Sequence, residues 1–150
     1  QSKEEKIELR AFMESLVAVF EAADECKVQL LAPAEELFMH GDREMLLRVI
    51  NNLITNGIQA IPVNRIGKIK VLLVADKETI TIEVRDNGTG IPEEQLSTVF
   101  EPYFTTKSTG TGLGLAMVKQ IVEGHDGTIR VKETDSNGTT MELRFPRVIL

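Results

Sequence analysis

Between Thr79 and Arg85 the chain alternates without a break, Ile80, Ile82 and Val84 against Thr79, Thr81, Glu83 and Arg85. Successive side chains on a strand point to opposite faces, so this run can bury one face only. Ile69, Val71 and Leu73 repeat the pattern upstream, and Asp76-Lys77 supplies a turn between the two runs. Together they predict an antiparallel hairpin with one apolar face, and that face needs a second layer. Helical periodicity supplies it. Leu9, Phe12, Met13, Leu16, Phe20 and Ala23 predict an amphipathic helix over roughly 5–24. Leu46, Val49, Ile50, Leu53, Ile54 and Ile61 form the apolar stripe of a second helix, "REMLLRVINNLITNGIQAI", N-capped by Asp42 and closed by Pro62. "LGLAMVKQIVE" predicts a third, with Gly124 as its C-cap.

Short strands at Val28–Leu31 and Leu37–Met39 precede the second helix, and "PEEQLSTVF" predicts a short helical turn. A last hairpin pairs "GTIRVKE" with "TMELRF" across "TDSNGT". This order predicts an α+β fold in a single domain over 1–150, with about three helices packed on one face of a mainly antiparallel mixed sheet. At 150 residues the chain can bury one real core. A formal net charge of -6 argues against a nucleic-acid surface, which is normally basic. No apolar run approaches the ~20 residues of a membrane span, and no signal-peptide pattern opens the chain. Cys26 stands alone, and His40 and His125 are too few for a histidine-built metal site. The expectation is a cytoplasmic domain with no direct membrane contact.

Three stretches carry possible chemistry. Asn52 and Asn56, four apart on the second helix, sit together opposite its apolar stripe. Asparagine is a middling to poor helix former, and a merely solvated face is better served by Lys or Glu. Neutral amide oxygens suit Mg²⁺ beside polyphosphate, because the phosphates bring the negative charge. "DNGTGIP", residues 86–92, sets Asp86, Gly88 and Gly90 at the end of the alternating strand, either as a plain turn or as a carboxylate aimed at a ligand. "GTGLGLA", residues 110–116, opens the third helix, as a flexible loop or as a backbone cradle for phosphate. Two familiar nucleotide motifs fail. Gly88 and Gly90 are followed by Glu93, Gly110 and Gly112 by Leu115, and Lys107 is preceded by Thr106 where a P-loop needs Gly. His125, between Gly124 and Gly127, reads as a turn residue, and His40 lacks an acidic neighbour to activate it.

In this order the motifs resemble the catalytic ATP-binding domain of bacterial sensor histidine kinases, within the gyrase, heat-shock-chaperone and mismatch-repair ATPase superfamily. "RVINNLITNGIQAI" resembles the N box, "DNGTGIP" the G1 box, "FEPYFTTK" the F box, "GTGLGLA" the G2 box and "NGTTMELRFP" the closing strand. The resemblance implies the two-layer sandwich of the histidine-kinase ATPase (Bergerat) type, with ATP and Mg²⁺ as cofactors. It implies that Asp86 accepts a hydrogen bond from the adenine amino group, that Gly88 and Gly90 keep side chains off the base, and that Thr139 supports adenine from behind. It assigns the metal to Asn56, with Asn52 beside the phosphates. A lid over about 101–112 brings Lys107 to the phosphates, and Gly110, Gly112, Leu113 and Gly114 cover them. Asn52, Asn56 and Lys107 form the implied catalytic set. Phe100 and Phe104 either clasp a neighbouring domain or fill the core, and Gln59 replaces the lysine that many members carry.

Gyrase-type and mismatch-repair ATPases place a glutamate base where this chain has Asn52. The resemblance therefore favours a protein histidine kinase, inactive without its phosphoacceptor domain. The implied partners are that dimerisation domain, in a homodimeric parent, and a response regulator. The helical hairpin that carries the acceptor histidine is absent from these 150 residues, so the chain is expected to be the C-terminal third or so of a longer protein. That parent is either soluble or anchored in the bacterial inner membrane. A regulatory nucleotide-binding module without kinase activity and a gyrase-type clamp are the alternatives.

Overall fold

The computed structural model describes residues 3–23, 26–102 and 114–149. In chain order these form β1 (Glu4–Glu8), α1 (Leu9–Ala23), β2 (Lys27–Leu31), β3 (Phe38–Asp42), α2 (Arg43–Gln59), β4 (Lys68–Ala75), β5 (Thr79–Asp86), a 3₁₀ turn (Glu93–Gln95), α3 (Gly114–Gly124), β6 (Thr128–Asp135) and β7 (Gly138–Pro146). The main sheet runs β2-β4-β5-β7-β6. All its pairings are antiparallel except β2 with β4, which is parallel. The expected hairpin is there, with Val71 opposite Val84 and Leu73 opposite Ile82.

Alternation decides which face is covered. Ile80, Ile82 and Val84 of β5 are buried with Val71, Leu73, Leu143 and Phe145. They join one core with Leu46, Val49, Ile50, Leu53 and Ile54 of α2 and with Val118 and Val122 of α3. The other face carries Glu83 and Glu142, directly opposite each other on β5 and β7. Like charges so placed repel. Arg85 and Lys132 bond Glu83, at 2.8 and 2.7 Å, and Arg130 and Arg144 bond Glu142, at 2.8 and 3.3 Å.

Asp42 caps α2 as expected, its Oδ1 accepting from the Glu44 and Met45 N–H groups at 3.0 and 3.3 Å. Three expectations need correction. The first helix begins at Leu9, because residues 4–8 are a strand antiparallel to β3. Glu8 ends that strand and caps the helix, accepting from the Arg10, Ala11 and Leu37 N–H groups at 2.9 Å each. "EEKIE" buries only Ile7, so it carries no apolar alternation to reveal a strand. β3 is likewise longer than Leu37–Met39, because β1 pairs with it through Asp42. Gly124 is the last residue of α3 and not its C-cap. The left-handed residue is Asp126 (φ 60°). Its N–H bonds Glu123 O and the Gly127 N–H bonds Val122 O, at 3.1 and 2.9 Å, which is a Schellman closure. Glycine is needed at 127 for space, since a Cβ there would lie 2.5 Å from Arg144 O. No helix among the described residues is long and apolar enough to cross a membrane.

Candidate functional site

The strand β5 delivers Asp86 to the C-terminal end of α2. Its Oδ1 accepts from the Gly88 N–H at 2.8 Å and from the Thr139 N–H at 3.2 Å. Two backbone donors, one in the loop after β5 and one at the start of β7, thus orient the carboxylate. The other oxygen faces Gly57 of α2, where a Cβ would stand 3.6 Å from Oδ2 and 3.1 Å from the Asp86 Cβ. Burial, and after it the Asp86 charge, push the Cys26 thiol up, so the carboxylate's field reaches the chain entering β2.

Both expected glycines of this loop have a reason inside the protein itself. A Cβ on Gly88 would lie 2.7 Å from Ala60 O, where α2 ends. The Thr89 N–H bonds that same carbonyl at 3.2 Å, so loop and helix end are in backbone contact. Gly90 has φ +86°, and a Cβ there would fall onto the Asp135 carbonyl. Thr139 is 7% exposed. Its hydroxyl pairs with that of Thr134 at 2.9 Å, and Thr134 Oγ1 accepts from the Ile91 N–H at 2.8 Å. A short polar chain therefore runs from the loop after Asp86 to the β6–β7 turn.

Asn56 directly precedes Gly57 on α2, and Asn52 lies one helical turn before it. Asn56 Nδ2 donates to Asn52 Oδ1 at 3.1 Å. That bond sets the Asn56 amide, because its Nδ2 is turned to Asn52 and its Oδ1 is therefore turned away. Gly114 brings the start of α3 against the pair, since a Cβ there would lie 3.0 Å from Asn52 Nδ2. The structure thus gathers Asp86, Gly88, Gly90 and Thr139 beside the C-terminal end of α2, and Asn52, Asn56 and Gly114 where α3 begins against the same helix. Lys107, Gly110, Gly112, Leu113 and Phe104 lie outside the described residues. Phe100 is half-buried, with Lys119 Nζ 5.9 Å from its ring centre.

Sequence reasoning missed three residues here. Gly57 left a signal, because glycine inside a helix is costly and marks a close approach. Asn87 holds the chain entering β4, with Oδ1 accepting from the Lys68 N–H at 2.8 Å and Nδ2 donating to Ile66 O at 2.7 Å. Arg65 donates from Nη1 to Asn87 O and Gly88 O at 2.8 and 2.7 Å. Nothing in the sequence distinguishes it from any loop arginine.

Comparison with known proteins gives this geometry its relatives. The family of histidine kinase-, DNA gyrase B- and HSP90-like ATPases matches residues 41–149. The sensor histidine kinase ZraS of Escherichia coli K12 is 41% identical over 134 residues, which cover 88% of this chain and 28% of ZraS. Sporulation kinase A of Bacillus subtilis is 35% identical over 113 residues, covering 75% of this chain and 18% of that kinase. The chain thus spans less than a third of the length of these relatives. Among solved structures, the catalytic domain of the histidine kinase ThkA superposes with a TM-score of 0.85 at 30% identity, covering 97% of this chain and 96% of that one. The family match takes in every residue of both groups, from Asn52 to Thr139, and the chain belongs to the histidine kinase-, DNA gyrase B- and HSP90-like ATPases.

Proposed function

We propose that this chain is the ATP–Mg²⁺-binding catalytic domain of a two-component sensor histidine kinase, working in the cytoplasm and presenting the γ-phosphate to a histidine on a separate dimerisation domain. The observation that carries the reading is the Asp86 carboxylate, held by the Gly88 and Thr139 N–H groups at one end of α2, with the Asn52–Asn56 pair farther along the same helix. A carboxylate held at that point selects adenine, because its amino group donates where the guanine carbonyl would repel. ATP is the nucleotide of this family.

Mg²⁺ fits the residues present. The Asn56 amide oxygen is a hard, neutral ligand whose direction is set by the bond to Asn52. Among the described residues no three His, Cys, Asp or Glu form a metal cage, so the ion would take its remaining ligands from phosphate and water. Bound there, the metal would neutralise charge on the phosphate oxygens.

Asn52 carries an amide that cannot take a proton, so this position of α2 supplies no base to activate water. An imidazole nitrogen needs none. It attacks the γ-phosphorus in line, the P–N bond forms, and the bond to the ADP oxygen breaks. In this reading Lys107, Gly110, Gly112, Leu113 and Gly114 close over the phosphates. A response regulator then receives the phosphoryl group on an aspartate; the related ThkA has been solved in complex with its response regulator TrrA.

The test is radiolabelled ATP with the chain alone, with the dimerisation domain of its parent alone, and with both. The expected result is no label and negligible hydrolysis for either alone, and acid-labile phosphohistidine on the dimerisation domain in the mixture. Omitting Mg²⁺ or substituting Asn56→Ala should remove that label. Rapid hydrolysis by the chain alone would instead support an ATP-driven clamp, and no transfer in the full parent would support a regulatory module.

A further inference from the structure

Asp86 accepts from the Gly88 N–H in the loop after β5 and from the Thr139 N–H at the start of β7, next to the β6–β7 turn. Arg65 holds both turns. Its Nη1 donates to Asn87 O at 2.8 Å and to Gly88 O at 2.7 Å in the loop after β5, and lies 3.3 Å from Ser136 O in the β6–β7 turn. Arg65 is itself tied back, since its N–H bonds Pro62 O at 3.0 Å. The same loop is stitched a second time by Asn87, through Ile66 O and the Lys68 N–H. Below the guanidinium the turns already touch, because a Cβ on Gly138 (φ +138°) would fall onto Asp86 O.

We infer that Arg65 is a positioning residue for the Asp86 carboxylate, one that sets nucleotide affinity and adenine preference by bracing the loop after β5 against the turn that leads into β7. The inference rests on the adenine role proposed above for Asp86. Three carbonyl oxygens from two turns, far apart in sequence, converge on a single cationic nitrogen. Carbonyls so gathered repel one another, and the positive charge between them removes the repulsion. Arg65 is exposed and adds nothing to the apolar core, so this bracing is its structural work. Without it, water can satisfy each carbonyl separately, and the turns lose their common anchor. The global fold then changes little, because surface positions away from the core contribute little to stability. What loosens is the direction of the Asp86 carboxylate.

The chain itself is measured as wild type, Arg65→Ala, Arg65→Lys and Asp86→Asn, with ATP by calorimetry and with GTP and adenosine by displacement of a fluorescent ATP analogue. Arg65→Ala should bind ATP about five- to tenfold more weakly, and less severely than Asp86→Asn, because the carboxylate remains and only its aim suffers. Adenosine should lose the same factor and GTP none, so the preference for ATP narrows. Arg65→Lys, which returns a cationic donor, should recover part of the loss. Amide exchange at Gly88 and Thr139 should quicken in Arg65→Ala, while strand amides such as Val71 keep their protection. If Arg65→Ala matches wild type for ATP while Asp86→Asn does not, the inference is overturned and the adenine site stands. A loss seen with ATP but not with adenosine would also overturn it, by making Arg65 a phosphate-attracting charge. Absence of ATP binding in wild type would remove the nucleotide reading, and this inference with it.

Discussion

Gly57 weakens α2, since glycine in a helix interior costs about 1 kcal/mol relative to alanine. It sits there because Asp86 comes in from the side. A Cβ on Gly57 would lie 2.9 Å from the buried Ile69 Cδ1 and 3.1 Å from the Asp86 Cβ. Gly57→Ala should therefore gain helix propensity and lose fit, leaving the melting temperature within a few degrees of wild type because the two effects are of similar size. Affinity should not be spared. The displaced Asp86 loses alignment with its two donors, and ATP binding should fall at least severalfold in calorimetry; unchanged binding would show that the carboxylate does not need this contact. The site residues were legible in the sequence to the extent that they lie in contiguous motifs. The structure sets Thr139 against Asp86, and Asn56 and Gly114 against Asn52, at positions that the resemblance carried by those motifs had singled out. Arg65 was not legible, because its partners belong to two turns up to 71 residues away and no local pattern encodes that convergence.

Both ends of α3 are pinned to α2. Gly114, which starts α3, meets Asn52, and His125, just past its end, meets Asp42 at the start of α2. From 42 to 52 along one helix and from 114 to 125 along the other are nearly equal rises of about 15–17 Å, as an antiparallel pair requires. His125 is a clasp and not merely a turn residue. Its Nδ1–H donates to Ile121 O at 2.8 Å, which leaves Nε2 to accept from the Asp42 N–H at 3.0 Å. The ring meets Phe145 edge-on at 6.4 Å, and a Cβ on Gly41 would press within 2.7 Å of its Cδ2. His125→Phe should keep the ring contact and leave the Asp42 N–H without its Nε2 acceptor, at about 1–3 kcal/mol of stability, while Ile121 O keeps the residue-125 backbone N–H at 3.2 Å. Gly41→Ala should expel the same ring, so the double variant should cost far less than the sum of the two. Additive losses in thermal unfolding would mean the two residues act separately. This clasp was hidden in the sequence for the same reason as β1: both depend on pairing across the fold, while α2, its Asp42 cap and the β4–β5 hairpin follow from neighbours in the chain.

At the scale of the whole molecule, the sheet face opposite the helices contributes to how the protein responds to acid. Glu83 and Glu142 face each other there almost fully buried, at 6% and 4% exposure. Burial alone would raise the Glu83 carboxyl, but hydrogen bonds and charge from Lys132 and Arg85 outweigh it and hold it below the ordinary glutamate value. The Arg130 hydrogen bond lowers Glu142 first, against a smaller effect of burial. A carboxyl whose folded-state pKa is depressed contributes stability that is fully present above its unfolded value, near ~4.3, and is lost as pH falls through that value toward the folded one. The melting temperature should therefore be level from about pH 6 to 8 on this account and fall below about pH 5. Two forces compete at these residues, repulsion between the facing carboxylates and attraction to the four cations around them. Depressed pKa values mean that attraction wins. Glu83→Gln should accordingly lower the melting temperature at pH 7 and flatten its decline toward pH 4, because one acid-sensitive contribution has been removed. A variant more stable than wild type at pH 7 would show that relief of the Glu83–Glu142 repulsion outweighs the lost bonds to Lys132 and Arg85, and that the cations on this face do not hold the pair together.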